Sequence, residues 1–216
     1  MLREFTINEF WYLVFAARWT LALTSIAFLG GGLLGLVFMV LRVLPFRPAN
    51  WLAIGYIQAI QGTPLLGQLF LFYFGFSIFG YDVSPWVAAG AALSIYASGF
   101  LAEIWRGCVQ AIPRTQWEAS AALGLSFLEQ LRHVILPQAL RIAIPPTVGF
   151  LVQVVKNTSL ASAIGFIELT RAGQIVNGAT FQPFVVYICV AAIYFAICFP
   201  LSLWSQQLER KLHVAR

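Results

Sequence analysis

The residues able to do chemistry in this chain are few, and they do not assemble into a reaction centre. His133 and His213 are the only histidines and lie far apart in the sequence, so no metal site is expected. A Ser/His/Asp arrangement would need a histidine within the apolar segments, and none is there. No GxxxxGK[ST] run occurs, so the chain does not cradle nucleotide phosphates by that route. Cys108, Cys189 and Cys198 lack a CxxC and read as unpaired, structural thiols. What remains is a set of polar residues in apolar surroundings. They are Gln61-Gly62-Thr63-Pro64, Glu103 with Arg106 three residues on, and Lys156-Asn157-Thr158-Ser159. In lipid such groups need partners or a wet path. Their chemistry is therefore hydrogen bonding and charge placement, and bond making is not expected of them.

The elements that must position these groups are membrane helices. Of 216 residues 60% are hydrophobic and 10% charged, against about 25% charge in soluble domains. The apolar runs are too long for barrel strands, which leaves an all-α integral membrane bundle. Five spans are expected, at about 19–41, 53–79, 86–106, 142–165 and 184–204. Residues 1–17 mix Arg3, Glu4 and Glu9 with Phe5, Phe10, Trp11, Tyr12 and Phe15, as an interfacial helix would. No removable signal peptide is expected. Gly31-x-x-x-Gly35 in the first span invites close approach of another helix. Pro64 should break the second span at Thr63. Pro145-Pro146 and Gly149 should make the fourth discontinuous. Residues Ile164 to Val176 read as an amphipathic helix carrying Glu168 and Arg171, followed by a turn at Asn177–Thr180.

The net charge of +5 is informative through its distribution and is not a nucleic-acid signal. Arg42 and Arg47 lie in one connection, Arg106, Arg114, Arg132 and Arg141 in another, and Arg210, Lys211 and Arg216 in the tail. With five spans these regions share one side, which the positive-inside rule makes cytoplasmic, with the N-terminus outside. The second of these connections, about 112–137, is the one built to dock something. Gln116 to Leu123 favours helix and ends at Gly124. Ser126 stands three residues before Glu129, a capping-box spacing that starts a second short helix through Gln130, Arg132 and His133, expected to stop at Pro137. Ala119, Ala121 and Ala122 leave the surface open to close approach.

This connection, with Glu118-Ala119-Ser120, Gly124 and Val134-x-Leu136-Pro137, resembles the EAA loop of the inner-membrane permease subunits of bacterial ATP-binding-cassette importers. The likeness extends to Gln61-Gly62-Thr63-Pro64-Leu65-Leu66, Ala102-Glu103-Ile104-Trp105-Arg106-Gly107, Ala111-Ile112-Pro113 and Lys156-Asn157-Thr158-Ser159-Leu160, which resemble the polar amino-acid branch (histidine, glutamine, glutamate/aspartate). The resemblance implies a non-catalytic permease subunit of the bacterial inner membrane. Its partners would be a second permease subunit, identical or homologous, a cytoplasmic ATPase dimer holding ATP and Mg, and a periplasmic amino-acid-binding protein. This chain itself would hold no cofactor. Glu118, Ala119, Ser120, Gly124, Leu136 and Pro137 would then be the coupling residues. Gln61, Gly62, Thr63, Pro64, Glu103, Lys156, Asn157, Thr158 and Ser159 would be pathway or gate residues. Two positions depart from the family pattern: Gln61 replaces the usual Arg and Asn157 the usual Asp. If those positions face each other, an ion pair has become an amide pair. Two rival readings are an ion-gradient-driven transporter or channel subunit and a non-translocating structural subunit.

Overall fold

The structure, a computed structural model, describes residues 4–213, so Arg3 and Arg216 lie outside the described residues. Every regular element among them is helical. In chain order they are α1 (Ile7–Val43), α2 (Arg47–Gln61), α3 (Leu65–Phe70), α4 (Phe76–Ile78), α5 (Pro85–Gln110) and α6 (Arg114–Ala122). There follow α7 (Phe127–Gln130), α8 (Leu136–Asn157), α9 (Leu169–Thr180) and α10 (Pro183–His213). A π turn, Leu71–Gly75, joins α3 to α4, a second, Leu131–Ile135, joins α7 to α8, and a 3-10 turn, Thr158–Ile164, extends α8. By length and composition 4 helical stretches can cross a membrane: Ile7–Val43, Pro85–Gln110, Phe127–Ile164 and Pro183–Leu212.

The hub is α5. Ser84 caps it by accepting the Val87 N–H, and Pro85 supplies a first-turn residue that needs no donor. Its buried face is largely small: Ala88, Ala89, Gly90, Ala92, Ser94, Ala97, Ser98, Gly99 and Ala102. Small side chains let neighbouring backbones come close, which is how helices gain contact where lipid offers no hydrophobic drive. α1 packs more extensively on α5 than on any other element. Its own buried positions, from Leu13 through Thr20, Ala27, Gly31 and Gly35 to Met39, recur every three or four residues, one stripe of a helix. A Cβ on Gly31 would stand 2.5 Å from Ala97 Cβ and 2.8 Å from Ser94 O. The Gly31/Gly35 spacing thus serves a contact inside the chain. α8 joins the other side of α5 through Trp105 Nε1, which donates to Thr147 Oγ1 at 2.9 Å.

Four expectations about helix boundaries change. The aromatic N-terminal stretch is no separate helix: α1 runs unbroken for 37 residues from the Thr6/Glu9 capping box. Nothing between the two segments breaks a helix, since Ala16, Ala17 and Arg18 all favour one. Pro137 does not stop the second short helix, and Pro145-Pro146 do not break the fourth span; Phe127–Ile164 is continuous. At Pro137 the π turn absorbs the missing donor and the ring, with Leu136 N–H reaching back to Leu131 O. The amphipathic helix begins at Leu169, since Gly165 (φ 82°) ends the 3-10 turn, and it runs through the expected turn to Phe181 (φ 53°).

The Gly31 contact makes a testable statement. Gly31→Ala should lower the unfolding midpoint of the detergent-purified chain, since overpacking of a tight core contact costs about 1–3 kcal/mol. Gly32→Ala is the control, because its Cβ would meet only the Trp105 ring edge at 3.8 Å. Equal midpoints for the two variants would contradict the contact.

Candidate coupling surface and broken-helix pathway

The segment from Pro113 to Gln130 forms a knob with one face held and one face open. α6 ends in a Schellman motif: Gly124 N–H donates to Ala121 O (2.9 Å) and Leu125 N–H to Ser120 O (3.3 Å). Gly124 is left-handed at φ 78°, a conformation that L side chains resist. Ser126 then donates its N–H and its hydroxyl to Glu129 Oε2, at 2.8 and 2.7 Å, and starts α7. The Trp117 and Phe127 rings stack with centroids 6.0 Å apart, closing α6 on α7. Gln138 ties α8 to this unit through Gln116 Oε1, at 3.4 Å. The knob is therefore one body with the start of α8.

Of the six expected coupling residues, Glu118, Ala119, Gly124 and Pro137 are exposed. Ser120 is buried, its hydroxyl donating to Gln116 O and Trp117 O, so it supports the helix from within. Leu136 is half-buried against the cluster around Met39, Ile57 and Val109, a packing position. Glu118 already has a partner, Arg114 Nε at 2.9 Å; both side chains are solvated, so the pair contributes little. The sequence reading missed Leu123 and Leu128, which stand 80% and 65% exposed on the open face. Their signal was present, two leucines flanking a Gly turn in an otherwise polar stretch.

The structure also brings the two broken helix ends together. α3 packs against the 3-10 turn, with Leu65, Leu69, Ala161 and Ile164 in one core cluster. Pro64 has no N–H to offer Ile60 O. Gln68 Nε2 supplies the bond instead, at 3.0 Å, and also reaches Thr63 Oγ1 at 2.9 Å. Gln68 is buried, and its Oε1 has no partner. Across from it, Thr158 is fully buried with its hydroxyl on Val155 O, and Ser159 donates to Lys156 O. Gln61, Gly62, Thr63, Pro64 and Lys156 are exposed, while Asn157 and Ser159 are partly so. The expected amide pair is not formed. Gln61 donates to Gly99 O at 3.3 Å, and Asn157 Oδ1 accepts from Gln153 at 3.1 Å. Each amide has a different partner, Gln61 on α5 and Asn157 one turn back on α8.

Glu103 lies one turn beyond Gly99, toward the C-terminal end of α5. It accepts from Arg106 Nη2 at 2.6 Å, as the spacing anticipates, and from Arg42 Nε at 3.4 Å, a partner that α1 brings from far away in sequence. A second carboxylate is more deeply placed. Glu168 is fully buried as the N-cap of α9, accepting from the Thr170 and Arg171 N–H groups and from Tyr194 O–H, each at 2.8 Å. Burial pushes its carboxyl above the usual range, although these hydrogen bonds pull the other way. Thr20 Oγ1 accepts the Leu169 N–H beside it, so this loop is pinned to α1. Glu is not a favoured capping residue, which is why its sequence gave no cap signal.

An all-helical polytopic chain with interrupted spans, a polar row at the interruptions and a protruding interfacial knob is built as a transport permease. The comparisons agree. Residues 27–214 match the family model described as "Binding-protein-dependent transport system inner membrane component", and the chain belongs to that family. It is similar to the L-cystine transport system permease protein TcyB of Bacillus subtilis (strain 168), 38% identical over 90% of this chain and 83% of the relative. It is also similar to the glutamine transport system permease protein GlnP of Escherichia coli (strain K12), 35% identical over 94% and 93%. Among solved structures, an amino acid ABC transporter crystallised with histidines superposes with a TM-score of 0.89 at 35% identity, covering 93% of this chain and 94% of that one. The MetNI methionine ABC transporter in inward-facing form shares the fold, with a TM-score of 0.80 at 22% identity over 96% and 99%. The chain is thus a non-catalytic membrane permease component.

Gln68 gives this site its test. Gln68→Leu keeps the volume but leaves Ile60 O without its substitute donor. An unsatisfied buried group costs about 1–3 kcal/mol, so the midpoint of the purified variant should drop, while Gln61→Leu, at an exposed position, should change it little. Wild-type stability in Gln68→Leu would mean the break does not depend on that bond.

Proposed function

We propose that this chain is one half of the translocation pathway of an importer for polar amino acids, driven through the knob by a separate ATPase dimer that binds ATP and Mg. The observation that carries the reading is the knob: a rigid, two-helix body whose buried side is fastened to α8 and whose open side presents Glu118, Ala119, Leu123 and Leu128. A face of small and apolar residues with a single carboxylate at its edge fits a groove on a partner, and its stiffness lets a push reach α8 undamped. The amino-acid class is supported by what the relatives are named for and by the histidine-bound transporter.

Five crossings complete the proposal, with α2 to α4 acting together as the second, interrupted at Gly62-Thr63-Pro64. The distribution of arginines and lysines supports a cytoplasmic C-terminus and an N-terminus outside. A single set of five crossings encloses no pore, so a second permease subunit, identical or homologous, closes the path. The exposed polar row of Gln61, Thr63, Gln153 and Lys156 would face that subunit or the path itself. Lys156 has no carboxylate partner among the described residues, as a water-lined position allows. A periplasmic binding protein would deliver the amino acid from outside.

The test is uptake and ATP hydrolysis by the full complex in vesicles, with and without loaded binding protein. Gly124→Val strains the left-handed turn by about 1–3 kcal/mol and re-aims α7, and Glu118→Lys opposes a basic groove. Both variants should insert normally. Both should lose uptake together with either stimulation of ATP hydrolysis by the loaded binding protein or assembly of the ATPase. Full uptake in both would remove the knob from the mechanism.

A further inference from the structure

The ends of α1 and α5 and the start of α6 border an open cavity of about 500 Å³ that the transport reading does not use. Its polar lining consists of Arg42, Gln110 and Arg114, and its apolar lining includes Val43, Val109 and Ile112. Trp117 closes the side nearest the knob. No carboxylate lines it. Glu103 is held by Arg42 and Arg106, and Glu118 by Arg114. Three guanidiniums against two carboxylates leave this corner with one positive charge. Arg42 also donates through Nη1 to Asn50 Oδ1, while its Nη2 has no protein partner.

The polar side chains lining this space, Arg42, Gln110 and Arg114, present donors to it. Gln110 Oε1 accepts from Arg106 Nη1, which leaves the amide NH2 of Gln110 free to donate. α6 adds to this, because Pro113 at its N-cap provides no side-chain cap and its first turn has no acidic residue. Its opening N–H groups therefore carry an unneutralised positive end of the helix dipole. A site with two guanidiniums, an amide NH2 and a helix N-terminus selects an anion with several acceptor oxygens, which is the chemistry of phosphate. The cavity sits where apolar spans give way to the polar connection, with an apolar floor and a half-buried tryptophan at its rim, as a headgroup site requires.

We propose that this cavity binds the phosphodiester headgroup of an anionic phospholipid, with Arg42, Gln110 and Arg114 on the phosphate and Val43, Val109 and Ile112 against the glycerol and upper acyl carbons. Basic recesses between spans at the cytoplasmic surface take such headgroups. A lipid there braces the junction of α5 and α6, the point from which the knob springs. The proposal draws on the transport reading only in assigning the leaflet. Its test uses the chain without ATPase, so failure of the coupling mechanism would leave the result unchanged.

The full chain, purified in detergent, is titrated with phosphatidylglycerol or phosphatidylcholine and read by native mass spectrometry. Wild type should retain phosphatidylglycerol in preference to phosphatidylcholine. Arg114→Gln, at an exposed side chain, should weaken that retention by about fivefold, the loss typical of one basic residue at an anionic lipid surface. Gln110→Glu, which puts a carboxylate in the site, should weaken it at least as much. Arg141→Gln removes an exposed arginine outside the cavity and should have no effect. Equal retention of both lipids would overturn the proposal, as would equal losses in all three variants, which would mean diffuse surface charge. Displacement of phosphatidylglycerol by an equal concentration of inorganic phosphate would also overturn it, by making the site one for a free anion.

Discussion

Backbone hydrogen bonding without water is the constraint on which the rest of this structure depends. Where a span runs without proline, as in α1, the helix satisfies its own carbonyls and the side chains are free to be merely apolar. Wherever the span is interrupted, a specific side chain takes over the vacated bond. Gln68 serves Ile60 O after Pro64, and Thr63 donates its own hydroxyl to Ala59 O. Thr158 and Ser159 likewise turn their hydroxyls onto the backbone where α8 passes into the 3-10 turn. Each interruption therefore brings polarity into the apolar body, and that polarity is the raw material for a path through it.

Two regions with opposite needs are joined through α5. Its small residues let α1 lie nearly backbone to backbone on one side, giving a stiff pair. On the other, Trp105 and Phe100 engage Thr147 and Phe150 of α8, larger contacts that can slide or re-seat more readily than a glycine seam. α8 is continuous with α7, and it packs on α1 as well as on α5. At the far end of α8 stand Lys156, Asn157, Thr158 and Ser159. One continuous stretch thus joins the exposed knob to half of the polar row.

Much of this was legible in the sequence, and the misses have physical causes. Gly124, the Ser126/Glu129 cap and the Pro64 break are local signals, set by φ, by a missing N–H or by a three-residue reach, and each appears where the sequence placed it. Prolines within longer helices behave otherwise than expected: a π turn accommodates Pro137, and the helix runs on through Pro145-Pro146. Tertiary partners were beyond reach. That Arg42 meets Glu103, that Gln61 bonds Gly99 O and that Tyr194 covers Glu168 follow from helix packing, which no spacing encodes. The Gln61 and Asn157 substitutions illustrate this: similar changes at two sites suggested a direct pair, yet each amide answers to a different neighbour.

The length of α1 has a mechanical consequence. Its 37 residues extend about 55 Å at 1.5 Å per residue, against a hydrocarbon layer of about 30 Å. Tilt alone does not absorb the excess, since spans rarely lean beyond about 40°. Several turns must therefore emerge from the lipid, and the exposed rings of Trp11, Phe15 and Trp19 mark where α1 meets the headgroups. Glu9 in the Thr6 cap and Arg18 over the Trp19 ring both belong to these outer turns, so neither charge has to enter the lipid. A thinner or thicker membrane is then met by tilting α1, and the seam with α5 passes that adjustment into the rest of the bundle.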